Sequence, residues 1–490
     1  MRSSRLLLIL LIYALMQSCT PSLQKTYVTV VFDVEDYISP ESDNVDEIPL
    51  WLAETMTEVG VTGTFFVIGE KARSLEERGR QDVIEAMASH DIGSHTNLGS
   101  IHPTVTEILE YADWDQGVQA MLQNESVGFD ELERIFNVPV STLARHGGSY
   151  GPQLVYALGQ MGKGYVYSPV QLPGKHAVWF CNTLNFHGDY GAFDDVYYKD
   201  ELFNPVFDSL KKNFLNDIEG VDMISFFACH PTKVRAEQFW DFNFYEGANP
   251  ERDSLKPPAL RPAESMVTAR KNFKRLMQFL KEQESIEVVT IRELMERFSY
   301  QPEIISSKDL LRIAEKVTSL EQVVYDELYA PSEVFAALTQ ALLEYQKNGK
   351  IPGKLNREAP LGPMVMPPET TEISMVSMDQ VFELATSSMD IIRNQGHLPS
   401  ELMVGEGSIG TGSLLHLFSS AYLDLAGKEP GDSHKVISFD AFPKEYEEII
   451  ISEVENYKHW IVHRTDLDMS HLADLTRMQL WTLKPAHEKR

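Results

Sequence analysis

The stretch Val28-Thr-Val-Val-Phe-Asp33-Val-Glu35-Asp36 runs from a β-branched apolar segment directly into three carboxylates within four residues. Acids this close raise one another's pKa unless a cation neutralises them, so the run marks a metal or proton-transfer site. The competing assignment is a solvated acidic turn. Two histidines bracket a short loop in His95-Thr-Asn-Leu-Gly-Ser-Ile-His102-Pro103. Neutral imidazoles suit zinc and similar divalent ions, and a carboxylate with two histidines leaves coordination positions for water and substrate. His-x6-His alone has no unique metal meaning, and the elements around it must decide.

From Thr26 to about Phe298 short apolar runs alternate with helical periodicity, the pattern of a β/α architecture. Strands are expected at 28–32, 63–68, 91–95, 164–168, 177–181, 223–228 and 286–289, with helices at 48–59 and 80–89 among those between them. Active-site residues in such folds sit at the C-terminal ends of strands, and each acid or histidine singled out here falls at one. Residues 299–307 form a polar boundary. Beyond it helices are expected at 308–318, 331–345, 377–395, 411–425 and 443–459, with Pro- and Gly-rich coil at 349–368. The domains expected are an export segment at 1–19, a barrel at 26–298 and a helical domain at 308–490.

With 490 residues the chain exceeds one ordinary domain, and at 43% hydrophobic residues it can bury sizeable cores. Its 43 Lys and Arg against 72 Asp and Glu give a net charge of −29, which argues against nucleic acid or an anionic membrane surface as partner. Met1-Arg-Ser-Ser-Arg5, an apolar stretch to Met16 and then Gln17-Ser18-Cys19 have the form of an export signal. Cys19 is placed for lipidation, so membrane contact would come only through a lipid anchor there; the expected location is the periplasm or cell surface. Cys181 and Cys229 then remain, and two buried thiols are expected rather than a disulfide scaffold.

Several of these runs stand in an order that resembles the NodB-like polysaccharide deacetylases, the family-four carbohydrate esterases. Asp82-Val-Ile-Glu-Ala-Met-Ala-Ser-His-Asp-Ile-Gly-Ser-His95-Thr, continued by His102-Pro103, resembles the second motif of that family. Gly63-Thr-Phe-Phe-Val-Ile-Gly69 is similar to the strand between its first two motifs. Arg145-His-Gly-Gly-Ser-Tyr150-Gly-Pro is similar to the third motif, and Phe226-Phe-Ala-Cys-His230-Pro231 to the fifth. The resemblance implies a deformed (β/α)7 barrel with one divalent metal, commonly zinc, with cobalt, manganese or nickel as alternatives. It implies hydrolysis of acetyl groups from an acetylated glycan outside the cell or in its envelope. Asp33 would be the general base, His95 and His102 metal ligands, Arg145 the group that orients the base and His230 the general acid. A non-catalytic glycan-binding protein on a degenerate barrel is the alternative.

The chain departs from that pattern in definite places. Val34 follows Asp33 where the family has a second aspartate. Because a strand sends alternate side chains to one face, Glu35 is the partner expected to bind metal with the histidines, and Asp36 is the alternative. The His95 to His102 spacing is longer than usual, so 97–101 would have to bulge for His102 to return. Gly147 stands where the family commonly has proline. No clear fourth motif is present, although Asp189, Asp194 and Asp195 lie where one would fall. The aromatic run 239–245 reads as core packing or as a sugar-stacking rim. In the helical part, 377–418 resembles a pseudomurein-binding-type repeat, which implies a glycan- or wall-binding module.

Overall fold

The computed structural model describes residues 25–191, 193–427 and 431–489; Cys19 and the expected export segment lie outside the described residues. The strand that leads into the acids, β1 (Thr26–Val34), is an interior strand of an 11-stranded sheet. The others in this half of the chain are β2 (Thr64–Val67), β3 (Asp91–Ser94), β4 (Thr142–Ala144), β5 (Gly164–Val166), β6 (Ala177–Phe180), β7 (Thr183–Phe186), β8 (Asp189–Tyr190), β9 (Met223–Cys229) and β10 (Ile286–Val288). β1 pairs in parallel with β2, β9 and β10, and the parallel run continues from β2 through β3, β4 and β5 to β7. β6 returns antiparallel to β7. The sheet curls into a deformed barrel with helices on its outside, as expected. Parallel strands put their C-terminal ends on one rim.

Period-two alternation does the aiming. Val28, Val30, Phe32 and Val34 belong to the core beneath the helices, whereas Val31 belongs to the core inside the barrel. Asp33, in phase with Val31, therefore turns inward, and Glu35 follows it. On the outer face Phe32 stacks on Phe65 at 4.8 Å and meets Phe273 of the helix Ser265–Glu282 edge-on at 5.9 Å. Strands buried on both faces lack polar alternation, which is why 28–32 reads as a continuous apolar run. The strands β4, β7 and β8 were not expected; they are two to four residues long and too short to show a period.

Beyond the barrel, helices Ser307–Leu320, Pro331–Asn348, Met378–Gln395 and Thr411–Gly427 enclose a second core. Three small ladders accompany them, and one pairs Ile304–Ser306 with Lys354–Asn356 inside the stretch expected to be coil.

The chain then does something its sequence did not announce. After Phe442, the last residue of the second core but Trp481, it returns to the barrel: Ile450, Val454, Leu472 and Leu480 pack in the barrel's own core. Lys484–Pro485 adds an antiparallel strand to β6. The expected helical domain over 308–490 therefore does not coincide with the packing, because its last part completes the barrel. Trp481 packs instead in the helical core and donates to the Ala441 carbonyl at 2.9 Å. Lys484, buried, pairs with buried Glu333 of the helix Pro331–Asn348 at 2.7 Å, which fastens the two cores together. Cys181 and Cys229 are buried and unpaired, as expected. Among the described residues no helix is long and apolar enough to cross a membrane.

Candidate active site

Four strand ends deliver polar side chains to one place on the barrel rim. β1 supplies Asp33 and, just beyond its end, Glu35; β3 is followed by His95; β4 by Arg145 and His146; β9 by His230. Asp33, Glu35, His95 and His146 are all buried at 5% exposure or less, which water alone cannot compensate. His95 Nε2 lies 3.1 Å from Glu35 Oε1 and 3.6 Å from Asp33 Oδ2. His146 Nδ1 lies 3.3 Å from the same Glu35 oxygen and makes no hydrogen bond, and His230 Nε2 is 3.8 Å from both Glu35 Oε1 and Asp33 Oδ2.

The outer contacts decide what can fill the space between these atoms. His95 Nδ1 donates to the Ala144 carbonyl at 3.2 Å, and Nε2 is directed at the Glu35 carboxylate at 3.1 Å. A nitrogen and a carboxylate oxygen this close share a cation, either a proton or a metal ion. His146 is held from its other side by Ser100 Oγ at 2.9 Å, and Glu35 Oε2 accepts from Trp240 Nε1 at 2.7 Å. A bond of that charge-assisted kind contributes about 1.5–3 kcal/mol and fixes the carboxylate plane. Glu35, His95 and His146 each offer one donor atom, all within 4.8 Å of one another. Two imidazole nitrogens and a carboxylate are the donor set of an open divalent site, so the residues present fit one metal ion.

Charge follows the same arrangement. Burial pushes the Glu35 carboxyl up, but His146 and His230 outweigh it and hold it well below the ordinary carboxylate range. Burial lowers His95 to about 4, which favours the neutral imidazole that metal binding would need. His230 goes the other way. Burial would lower it, yet Asp194, with Glu35 and Asp33 behind it, raises it to about 10. Asp194 holds that ring directly: Oδ2 is 2.9 Å from His230 Nδ1, and Oδ1 accepts from the His230 backbone N at 2.7 Å. The ring stands edge-on between Phe227 and Phe239, each 4.8 Å away, with Nε2 turned to the acids.

Most of the expected site residues meet here; His102 and Asp36 do not. Asp33, Glu35, His95 and His230 converge. Arg145 is joined to Asp33 through Tyr167, whose carbonyl accepts from Arg145 Nε at 3.0 Å and whose hydroxyl donates to Asp33 Oδ1 at 3.3 Å. Asp36 is used otherwise: it accepts from the Ile38 and Ser39 backbone, from the Ser39 hydroxyl and from Thr232, and so caps the turn that ends the acidic run. His102 does not return to the cluster. Its Nδ1 lies 2.7 Å from Glu107 and its Nε2 3.1 Å from the Phe244 carbonyl. Glu107 is also the third residue of a capping box with Thr104, so this pairing is set by the start of the helix Val105–Leu109. The loop after His95 places Ser100 against His146 instead of His102 against a metal.

His146, within the Arg145-His-Gly-Gly run, stands in the cluster beside Glu35 and His95 where His102 was expected. Asp194, Trp240 and Tyr167 also went unassigned to the site. Asp194 sits in the region searched for a fourth motif, whereas its neighbour Asp195 pairs with Arg261 and Lys233. The aromatic run divides: Trp240 and Phe244 are core, and Phe239 is the half-buried face beside His230.

No family model matches the sequence, and no curated protein matches it. Solved structures do resemble it in part. A Mycobacterium smegmatis protein assigned as a polysaccharide deacetylase is 15% identical, over 56% of this chain and 91% of that one, with a TM-score of 0.37. The Bacillus subtilis peptidoglycan deacetylase PdaC is 14% identical, over 56% and 92%, with a TM-score of 0.29. A CE4 family pseudoenzyme from Bacillus anthracis is 14% identical, over 56% and 66%, also at 0.29. At these scores the likeness adds no weight to any residue's role; the reading of the site rests on its own geometry.

Proposed function

We infer that this protein is a metal-dependent hydrolase that removes acetyl groups from a polysaccharide outside the cell or in its envelope. One observation carries the reading: Glu35 Oε1 faces His95 Nε2 and His146 Nδ1, while Asp33 and His230 stand beside them as candidate base and acid. When bound by Glu35, His95 and His146, a divalent ion such as zinc supplies Lewis acidity toward the acyl oxygen. The chain's own groups handle the protons. Asp33 accepts a proton from the water whose oxygen bonds to the acyl carbon. His230 Nε2 gives its proton to the departing nitrogen or oxygen as the bond from carbon to the sugar breaks, releasing acetate. Asp194 holds the His230 ring in position and sustains its charge, and Tyr167 and Arg145 hold Asp33. Phe239 beside His230 offers a face on which a sugar ring can stack.

The test is acetate release from a panel of N- and O-acetylated glycans, with and without a chelator. The reading predicts release from at least one polymer, abolished by the chelator and restored by zinc or cobalt. Metal binding without any release would instead favour the non-catalytic glycan-binding alternative.

A further inference from the structure

We propose that the returning C-terminal segment 457–464 is a working part of the barrel's site and that Trp460 is a positioning residue for His146. This inference rests on the metal reading given above.

Four sides of the His146 ring are accounted for. His95 stands edge-on at 4.7 Å, Ser100 Oγ lies at 2.9 Å from Nε2, and Trp240 lies at 6.5 Å. The fourth side is closed by Trp460, edge-on at 5.2 Å with the ring planes at 85°. Of these groups only Trp460 comes from outside the 26–298 half of the chain. Edge-to-face contact of this kind fixes a ring's tilt as well as its place. A ligand whose tilt is fixed before the ion arrives binds it more tightly.

The sequence around His146 is shaped to receive that contact. Gly147 has φ +51°, and a Cβ there would lie 2.1 Å from Cε2 of Trp460; a Cβ on Gly148 would lie 2.6 Å from the Tyr457 carbonyl oxygen and 2.9 Å from Trp460 Cβ. A glycine at 147 is the residue this indole requires. Tyr457 meanwhile puts its ring 4.2 Å from the Arg145 guanidinium, so the two residues after β4 are both covered by the same short segment.

The segment is held in place by contacts that do not involve Trp460. Glu246 N donates to the Ile461 carbonyl at 2.8 Å and Gly247 N to the Val462 carbonyl at 3.0 Å. Val462 is fully buried with Tyr37, Ile68, Trp240 and Phe244. Arg464 pairs with Glu107 and Glu110, and Asp468 N donates to Glu110 at 2.8 Å. Trp460 itself is only half-buried, so it is not the anchor that keeps the segment down.

The experiment uses the full chain, stripped of metal by a chelator, and measures zinc affinity by competition with a chromophoric chelator and the visible spectrum of the cobalt-loaded protein. Trp460→Ala is expected to bind zinc about tenfold more weakly, within the 10–100-fold range of outer-shell partners, and to shift the cobalt bands. Thermal unfolding of the metal-free variant should stay that of the wild type, and Trp460→Phe should restore affinity. Trp460→Leu keeps apolar bulk without an aromatic edge and serves if the alanine variant does not fold; it too should bind more weakly. Wild-type affinity and an unchanged cobalt spectrum in the alanine and leucine variants would overturn the inference alone. A wild-type protein that takes up no zinc would overturn the metal reading together with it.

Discussion

His95 turns Nε2 toward Glu35 Oε1 at 3.1 Å while its other nitrogen meets the Ala144 carbonyl at 3.2 Å, so one side of the ring is spent on the backbone and the other faces the buried carboxylate. That relationship makes the pair two of the three donors that a metal ion could share. It also fixes which histidine should matter next.

His146→Ala should lower zinc affinity by more than about a hundredfold, beyond the range of outer-shell partners, whereas His102→Ala should leave it near the wild-type value. Equilibrium zinc competition on the two variants decides this. Equal losses would restore His102 to the role its place in the sequence suggested.

The acid candidate gives a pH prediction. His230 is raised to about 10 chiefly by Asp194, against burial, which favours its protonated form at neutral pH. Asp194→Asn removes that charge but keeps an acceptor near Nδ1. The alkaline limb of the acetate-release profile should move to lower pH by about one unit or more, while the acid limb stays. An unmoved alkaline limb would remove His230 from the proton-donor role.

A third prediction concerns stability. Glu125 is buried in the helix Trp114–Phe136, where burial, offset in part by a hydrogen bond from Asn97 N, raises its carboxyl to about 7 from 4.5. The folded chain thus holds this proton more tightly than the unfolded one. Its contribution is fully present below about pH 4.5 and is lost as pH rises through 7. Glu125→Gln keeps an acceptor for Asn97 and cannot ionise. Relative to wild type, it should gain roughly 2–3 kcal/mol in urea unfolding between pH 4.5 and pH 8. Parallel pH curves for the two proteins would contradict this.

What could be seen in the sequence was whatever local order determines. Alternation along β1 paired Asp33 with Glu35 and not with Asp36, and the structure agrees because strand geometry acts over neighbouring residues. His102 failed for an equally local reason that was passed over: Glu107, five residues on, is committed to the cap at Thr104 and takes the imidazole with it. Trp240 at Glu35, Asp194 at His230 and Trp460 at His146 are contacts across 36 to 314 positions, and no spacing rule reaches them. The return of 450–485 to the barrel was hidden for the same reason. Its helices show the same apolar stripe as those of the second core, and periodicity does not say which core the stripe will meet.

The account stands most directly on zinc uptake by the metal-free wild type beside Glu35→Gln, a change that keeps an acceptor for Trp240 but removes the charge. Equilibrium dialysis should find one zinc per wild-type chain and a loss of at least about a hundredfold in affinity for the variant, by analogy with the larger effect of ligands over outer-shell groups. Equal uptake by the two proteins, or none by either, would contradict it.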